Sequence, residues 1–206
     1  MADIQLPYFL ARPAPPVTAG IVVIHEGNGI SAQLLRVCER LAAEGYAAIA
    51  PDLFFRAGGT EAADFGTLIG SLDRERTAAD LAESAAVLRA LGARKVGVTG
   101  FCMGGLQTYR AAATTSTFDA AVGFYGATIS RELGTPRCPT LLFFGDADPY
   151  IPQAEIDAVA AHHPDTVVYH GAGHGFFRDG SENYDQAAAE DALKRLLAHF
   201  DAHLRA

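Results

Sequence analysis

The 206-residue chain has 16 Lys and Arg against 24 Asp and Glu, a net charge of −8, and is half hydrophobic. That length buries a sizeable core without staples and suits one domain, residues 1–206. The acidic balance, with no run of Lys or Arg, argues against a sequence-independent grip on nucleic-acid phosphates or anionic lipid and favours a small-molecule partner. The apolar stretches are all broken by Pro, Gly or charge before the roughly 18 residues a membrane span needs.

Residues 1–16 lack the basic-then-apolar progression of a secretory signal, so a cytoplasmic location is the expectation. Cys38, Cys102 and Cys138 are odd in number and are expected as thiols. A monomer or small homo-oligomer is compatible with this composition.

In chain order, Ile21 to His25 reads as a β-branched strand, Ala32 to Glu44 as an amphipathic helix and Tyr46 to Ala50 as a second strand. Arg56 to Gly70 is irregular and rich in Gly and Ala, and is expected to cap a site. A helix over Arg74 to Leu91 precedes a strand at Lys95 to Thr99 and a helix beginning beside Cys102. Strands follow at Ala120 to Phe124, Thr140 to Phe144 and Thr166 to His170, with helices at Gln153 to His162 and Glu182 to Leu204. This alternation predicts a doubly wound, mostly parallel α/β sheet with helices on both faces. Sites in such sheets lie beyond the strands' carboxyl ends, which directs attention to Glu26, Asp52, Cys102, Tyr125, Asp148 and His174.

Gly100-Phe101-Cys102-Met103-Gly104 is a G-x-S-x-G pattern with Cys in place of Ser, at a strand-to-helix junction. Small residues two before and two after the nucleophile let strand and helix come close, and the Met103 N–H is the natural first donor to a developing oxyanion. The plainer reading makes Cys102 a small buried apolar residue with glycines that serve only packing. Cys38, inside a helix, and Cys138, beside Pro139, lack such a turn and read as structural.

Downstream come Asp146-Ala147-Asp148-Pro149 and then Gly173-His174-Gly175, so the chain order is nucleophile, acid, histidine. Imidazole exchanges protons near neutral pH, which suits His174 as the base. Asp148, deeper in its loop, is preferred as the residue orienting His174, and Asp146 reads as a turn cap. His162, His163, His199 and His203 lie in predicted helices and are expected in solvent, whereas His25 and His170 stand where they can line the site.

With these residues in place, the chain resembles the dienelactone hydrolase family over nearly its whole length. The resemblance rests on His25-Glu26-Gly27, Gly45-Tyr46-Ala47-Ala48-Ile49-Ala50-Pro51-Asp52-Leu53, the turn Gly100 to Gly105 and the loops of Asp148 and His174. It implies an α/β-hydrolase fold and a Cys102-His174-Asp148 triad. It further implies that Glu26 helps remove the thiol proton as substrate binds, and that the Gly27 N–H is the second oxyanion donor. Arg178, four residues after His174, corresponds to an arginine that holds a substrate carboxylate. The second arginine of that clamp has no counterpart in Ala57 to Phe65, and Arg56 is the nearest substitute. Tyr125, Tyr150, Phe54 and Phe177 are candidate pocket walls.

The expected activity is hydrolysis of a small ester or lactone through a thioester on Cys102, with the Arg178 correspondence extending it to carboxylated substrates. No Cys/His spacing suggests a metal, and phosphate and dinucleotide motifs are missing, so no cofactor is expected. The rival readings are a general carboxylesterase or thioesterase of the same fold, and a non-hydrolytic ligand-binding or redox-sensing protein that uses Cys102 as a reactive thiol.

Overall fold

Seven strands and six α-helices alternate along the chain in a computed structural model that describes residues 6–205. The strands are β1 (Tyr8–Ala11), β2 (Ala19–Ile24), β3 (Ala47–Pro51), β4 (Lys95–Phe101), β5 (Ala120–Phe124), β6 (Thr140–Gly145) and β7 (Val167–Tyr169). The helices are α1 (Ala32–Ala43), α2 (Phe65–Gly70), α3 (Arg74–Ala90), α4 (Met103–Thr114), α5 (Gln153–His162) and α6 (Gln186–Leu204). They form one sheet in the order β1-β3-β2-β4-β5-β6-β7, parallel except for β1, which runs antiparallel to β3.

Both faces of the sheet are covered because its central strands alternate between two clusters. On β2, Ile21 and Val23 belong with Leu34 and Cys38 of α1 and Phe200 of α6, while Val22 and Ile24 belong with Leu81, Ala85 and Leu88 of α3. Small residues bring the helices close: a Cβ at Gly20 would stand 2.9 Å from Leu88, and one at Gly97 2.7 Å from Phe200. The strands are buried nearly throughout, as parallel strands between two helical layers must be.

Three elements differ from expectation. Strand β1 is four residues among prolines, too short for a periodic signal, and exists through its pairing with β3. Helix α2 forms inside the stretch read as irregular, where Asp64 caps it by accepting the Thr67 N–H at 3.1 Å. Helix α6 starts at Gln186 rather than Glu182, because the Asp185 carboxylate accepts from Ala188 N–H and the preceding residues are spent in a turn. The order of the strands brings the carboxyl ends of β2, β4, β5, β6 and β7 to one edge, and the five loops that follow them meet there.

Candidate active site

Cys102 joins the end of β4 to the start of α4 with φ 55° and ψ −117°, a backbone region that side-chain-bearing residues seldom adopt. Its N–H donates to the Phe124 carbonyl at 3.0 Å, and its carbonyl accepts from Gly105 at 2.9 Å and Leu106 at 3.3 Å. The turn stays tight because glycines stand at its contacts. A Cβ on Gly100 would lie 2.6 Å from the Gly104 carbonyl carbon, and one on Gly104 would lie 2.5 Å from Ile24 O and 2.7 Å from His25 O. As the first residue of α4, Met103 has an N–H with no acceptor inside the helix.

On the loop after β7, His174 Nδ1 donates to Asp148 Oδ2 at 2.7 Å, and Asp148 Oδ1 accepts the Tyr150 N–H at 2.8 Å. The Asp148 side chain is only 1% exposed, so a charge there acts on His174 with little screening by water. Burial pulls the His174 pKa down, but hydrogen bonds with Asp148 and Cys102 and the charges of both push it up, to about 9. Asp146 faces elsewhere, taking the His170 Nδ1–H at 2.7 Å and the Gly171 N–H at 2.6 Å at the surface. Tyr125 and Tyr150 flank the His174 ring, at centroid distances of 5.0 and 5.1 Å.

Glu26, just beyond β2, is buried and doubly held. The Tyr125 hydroxyl donates to its Oε1 at 3.2 Å and Arg178 Nη1 to its Oε2 at 3.3 Å. Burial, and next the Glu26 charge, push the Tyr125 phenol well above its usual pKa, so it stays a donor. Tyr125 itself has φ 36°, a second strained position beside the first.

These groups open onto a cleft of about 680 Å³ bordered by Glu26, Gly27, Cys102, His174 and Arg178. Sequence reasoning did not single out Asn28, Phe65, Ala127 or Asn183, which also border it. They are loop and helix-start residues without a motif, and only the cap expected over Arg56 to Gly70 hinted at Phe65.

Several expected site residues stand elsewhere. Phe54 is fully buried with Leu68 and Met103 and packs on His25 at 4.8 Å, so it walls the core and not the cleft. Tyr125 is likewise fully buried and reaches Glu26 from behind. Phe177 stacks on Phe101 at 5.3 Å. Of the four aromatic candidates, Tyr150 borders the cleft. Arg56 forms a two-toothed pair with Asp80 of α3, at 2.6 and 2.9 Å, and does not replace the missing arginine. His170 is in solvent, and His25 lies under the site rather than in its wall. His163 is not simply solvated, since it meets the Tyr109 hydroxyl at 2.9 Å, nor is His199, which contacts Pro139 O at 3.2 Å.

Among the described residues no group of three or more His, Cys, Asp or Glu side chains converges to hold a metal, and no helix is long and apolar enough to cross a membrane. Comparison with known proteins gives one consistent answer. The chain is 34% identical over 225 aligned positions to a Salmonella typhimurium protein named "Putative carboxymethylenebutenolidase", covering 95% of this chain and 82% of that one. An Escherichia coli protein of the same name is 33% identical, with the same coverage. Among solved structures, a "Putative Dienelactone Hydrolase" from Klebsiella pneumoniae superposes with a TM-score of 0.86 at 31% identity, covering 96% of this chain and 93% of that one. Thermogutta terrifontis esterase 2 shares the fold at 20% identity, with a TM-score of 0.73 and coverage of 98% and 90%. The model of the dienelactone hydrolase family matches residues 6–204, and the chain belongs to that family.

Proposed function

We propose that the protein hydrolyses a small ester or lactone through a thioester formed on Cys102. The observation that carries this reading is the strained Cys102 turn opening onto the same cleft as a His174 hydrogen-bonded to a buried Asp148 at 2.7 Å. In the attacking state the thiol proton sits on His174, and Glu26 in the same cleft helps remove it as substrate binds. The sulfur attacks the carbonyl carbon, and the negative oxygen that results faces the Met103 and Gly27 N–H groups. Acylation then consumes the sulfur's charge. Two of the influences that raise the His174 pKa vanish with it, so the imidazolium readily passes its proton to the departing oxygen. Neutral His174, held by Asp148, takes a proton from water as the water oxygen bonds to the thioester carbon; the carbon–sulfur bond then breaks, which releases the acid and returns Cys102 as thiolate beside the imidazolium.

Arg178 borders the cleft and is the partner expected for a substrate carboxylate, in keeping with its planar, two-toothed cation. In the free protein that cation pairs with Glu26, so a substrate carboxylate drawn to Arg178 loosens the hold on Glu26. The engagement of Arg56 by Asp80 favours a second reading, a carboxylesterase of wider range, because it leaves Arg178 without a companion cation. A cytoplasmic setting fits the three free cysteines.

The test is intact-mass measurement after rapid acid quench with p-nitrophenyl acetate, joined to steady-state rates. An acetyl adduct on wild type that is missing from Cys102→Ala supports the thioester, and full turnover by Cys102→Ala removes Cys102 from the mechanism. If Arg178→Ala leaves the preference for carboxylated over neutral esters untouched, the anion role of Arg178 is wrong and the wider esterase reading stands.

A further inference from the structure

His25 follows the last residue of β2 and has no solvent exposure. Its Nε2 lies 3.1 Å from the Leu53 N–H, which can only donate, so Nε2 carries the lone pair and the ring proton sits on Nδ1. That Nδ1–H donates to the Glu26 carbonyl at 2.6 Å. Burial lowers the His25 pKa, which keeps the ring in this neutral form. Phe54 packs against the imidazole and holds its plane.

The Glu26 carbonyl accepts a second hydrogen bond, from the Gly29 N–H at 3.0 Å, so both of its lone pairs are occupied. The C=O and N–H of a trans peptide lie in one plane and point in opposite directions. Two donors on Glu26 O therefore set where the next N–H points, and that N–H belongs to Gly27. A peptide followed by glycine otherwise rotates with little resistance, since no Cβ restrains it.

We infer that His25 is a positioning residue for hydrolysis: by clamping the Glu26 carbonyl it aims the Gly27 N–H at the reacting oxygen. The inference rests on the oxyanion role proposed above for Gly27. His25 itself is wholly buried and does not border the cleft, whereas Glu26 and Gly27 do, so it acts through them and not on the substrate.

Two substitutions separate the ring's two hydrogen bonds. In His25→Asn the amide nitrogen falls near the Nδ1 position and keeps a donor for Glu26 O, whereas in His25→Gln the amide reaches the Nε2 position and serves Leu53 alone. With p-nitrophenyl acetate, His25→Gln is expected to lose roughly 10- to 100-fold in kcat with KM changed less than about threefold, as when an oxyanion donor is misaligned. His25→Asn is expected to recover about tenfold of that loss at a similar Tm. Inhibition by a trifluoromethyl ketone, which forms a tetrahedral oxyanion on the nucleophile, weakens by the same factor as kcat/KM in His25→Gln. Undiminished kcat in His25→Gln, or equal losses in both variants that follow Tm, overturns the inference. Long-range 15N NMR of the wild type gives a check that needs no variant to fold: a protonated Nδ1 is expected, and a protonated Nε2 overturns it. Cys102→Ala separates the two levels. If it is inactive while His25→Gln is normal, the inference alone fails; if it turns over fully, the acyl-enzyme reading fails and the inference falls with it.

Discussion

Replacing Gly104 by Ala places a methyl group between the first turn of α4 and the end of β2. The new Cβ would start 2.5 Å from Ile24 O and 2.7 Å from His25 O. An ordinary carbon–oxygen contact is about 3.3 Å, so helix and strand must separate by roughly 0.8 Å. Both neighbours are backbone atoms and cannot rotate aside. The Met103 N–H rides on the displaced turn, and a donor moved from about 2.9 to about 3.7 Å no longer hydrogen-bonds. Losing one such donor costs about 10²- to 10³-fold in kcat. The overpacking costs about 1–3 kcal/mol, partly offset by Ala's better helix propensity. For a chain of this length each kcal/mol shifts Tm by about 2–4 °C, so a fall of roughly 2–8 °C is expected. Steady-state hydrolysis of p-nitrophenyl acetate and scanning calorimetry measure the two effects. Gly70→Ala, at the end of α2 with nothing within 4 Å of the added carbon, is the matched control and should lower neither. A Gly104→Ala protein with full kcat and a Tm within about 1 °C of wild type would refute the tight-turn argument.

Four further outcomes follow from the same geometry. Asp148→Asn removes a main upward influence on His174, so its pKa should fall from about 9 when followed by NMR, and kcat should drop by about 10⁴-fold. The His174 pKa stands above its unfolded value of about 6.5, so the stability it contributes is complete below that pH. This contribution, on the order of 3 kcal/mol, is lost as pH rises through about 9, and urea midpoints across that window should show the decline and show it flattened in Cys102→Ala. Arg56→Ala leaves the buried Asp80 carboxylate without its donor and should cost about 1–3 kcal/mol by urea unfolding, with the preference among esters unchanged because Arg56 does not border the cleft. Phe54→Ala should cost about 3–5 kcal/mol, as expected of a core aromatic, and a loss confined to KM with no change in Tm would return Phe54 to the pocket wall.

The parallel sheet, its helices and the Cys102 turn were legible because each follows from a local rule. Short β-branched runs between amphipathic segments leave few topologies, and a cysteine between glycines at a strand end has a specific geometric use. The meeting of His174 and Asp148 was legible from chain order, since both follow neighbouring strands of one sheet. Strand β1 was missed because four residues carry no periodicity until β3 supplies a partner, and α2 was missed because two glycines weaken its propensity while a cap and packing restore it.

By itself the sequence determined the fold class, the strand ends at which the polar and titratable groups of the cleft gather, and the residue types that gather there. Only tertiary structure decided which neighbours each group has. Tyr125 and Phe54 both follow a strand and both are aromatic, yet one buttresses Glu26 and the other fills the core under Met103. Arg56 and Arg178 carry the same charge, yet Asp80 of α3 takes one while the other stands at the cleft beside Glu26. The physical reason is that hydrogen bonds and ion pairs act over about 3 Å. At the cleft, Arg178 and Glu26 meet from positions 152 residues apart in the chain, brought together only when the sheet assembles.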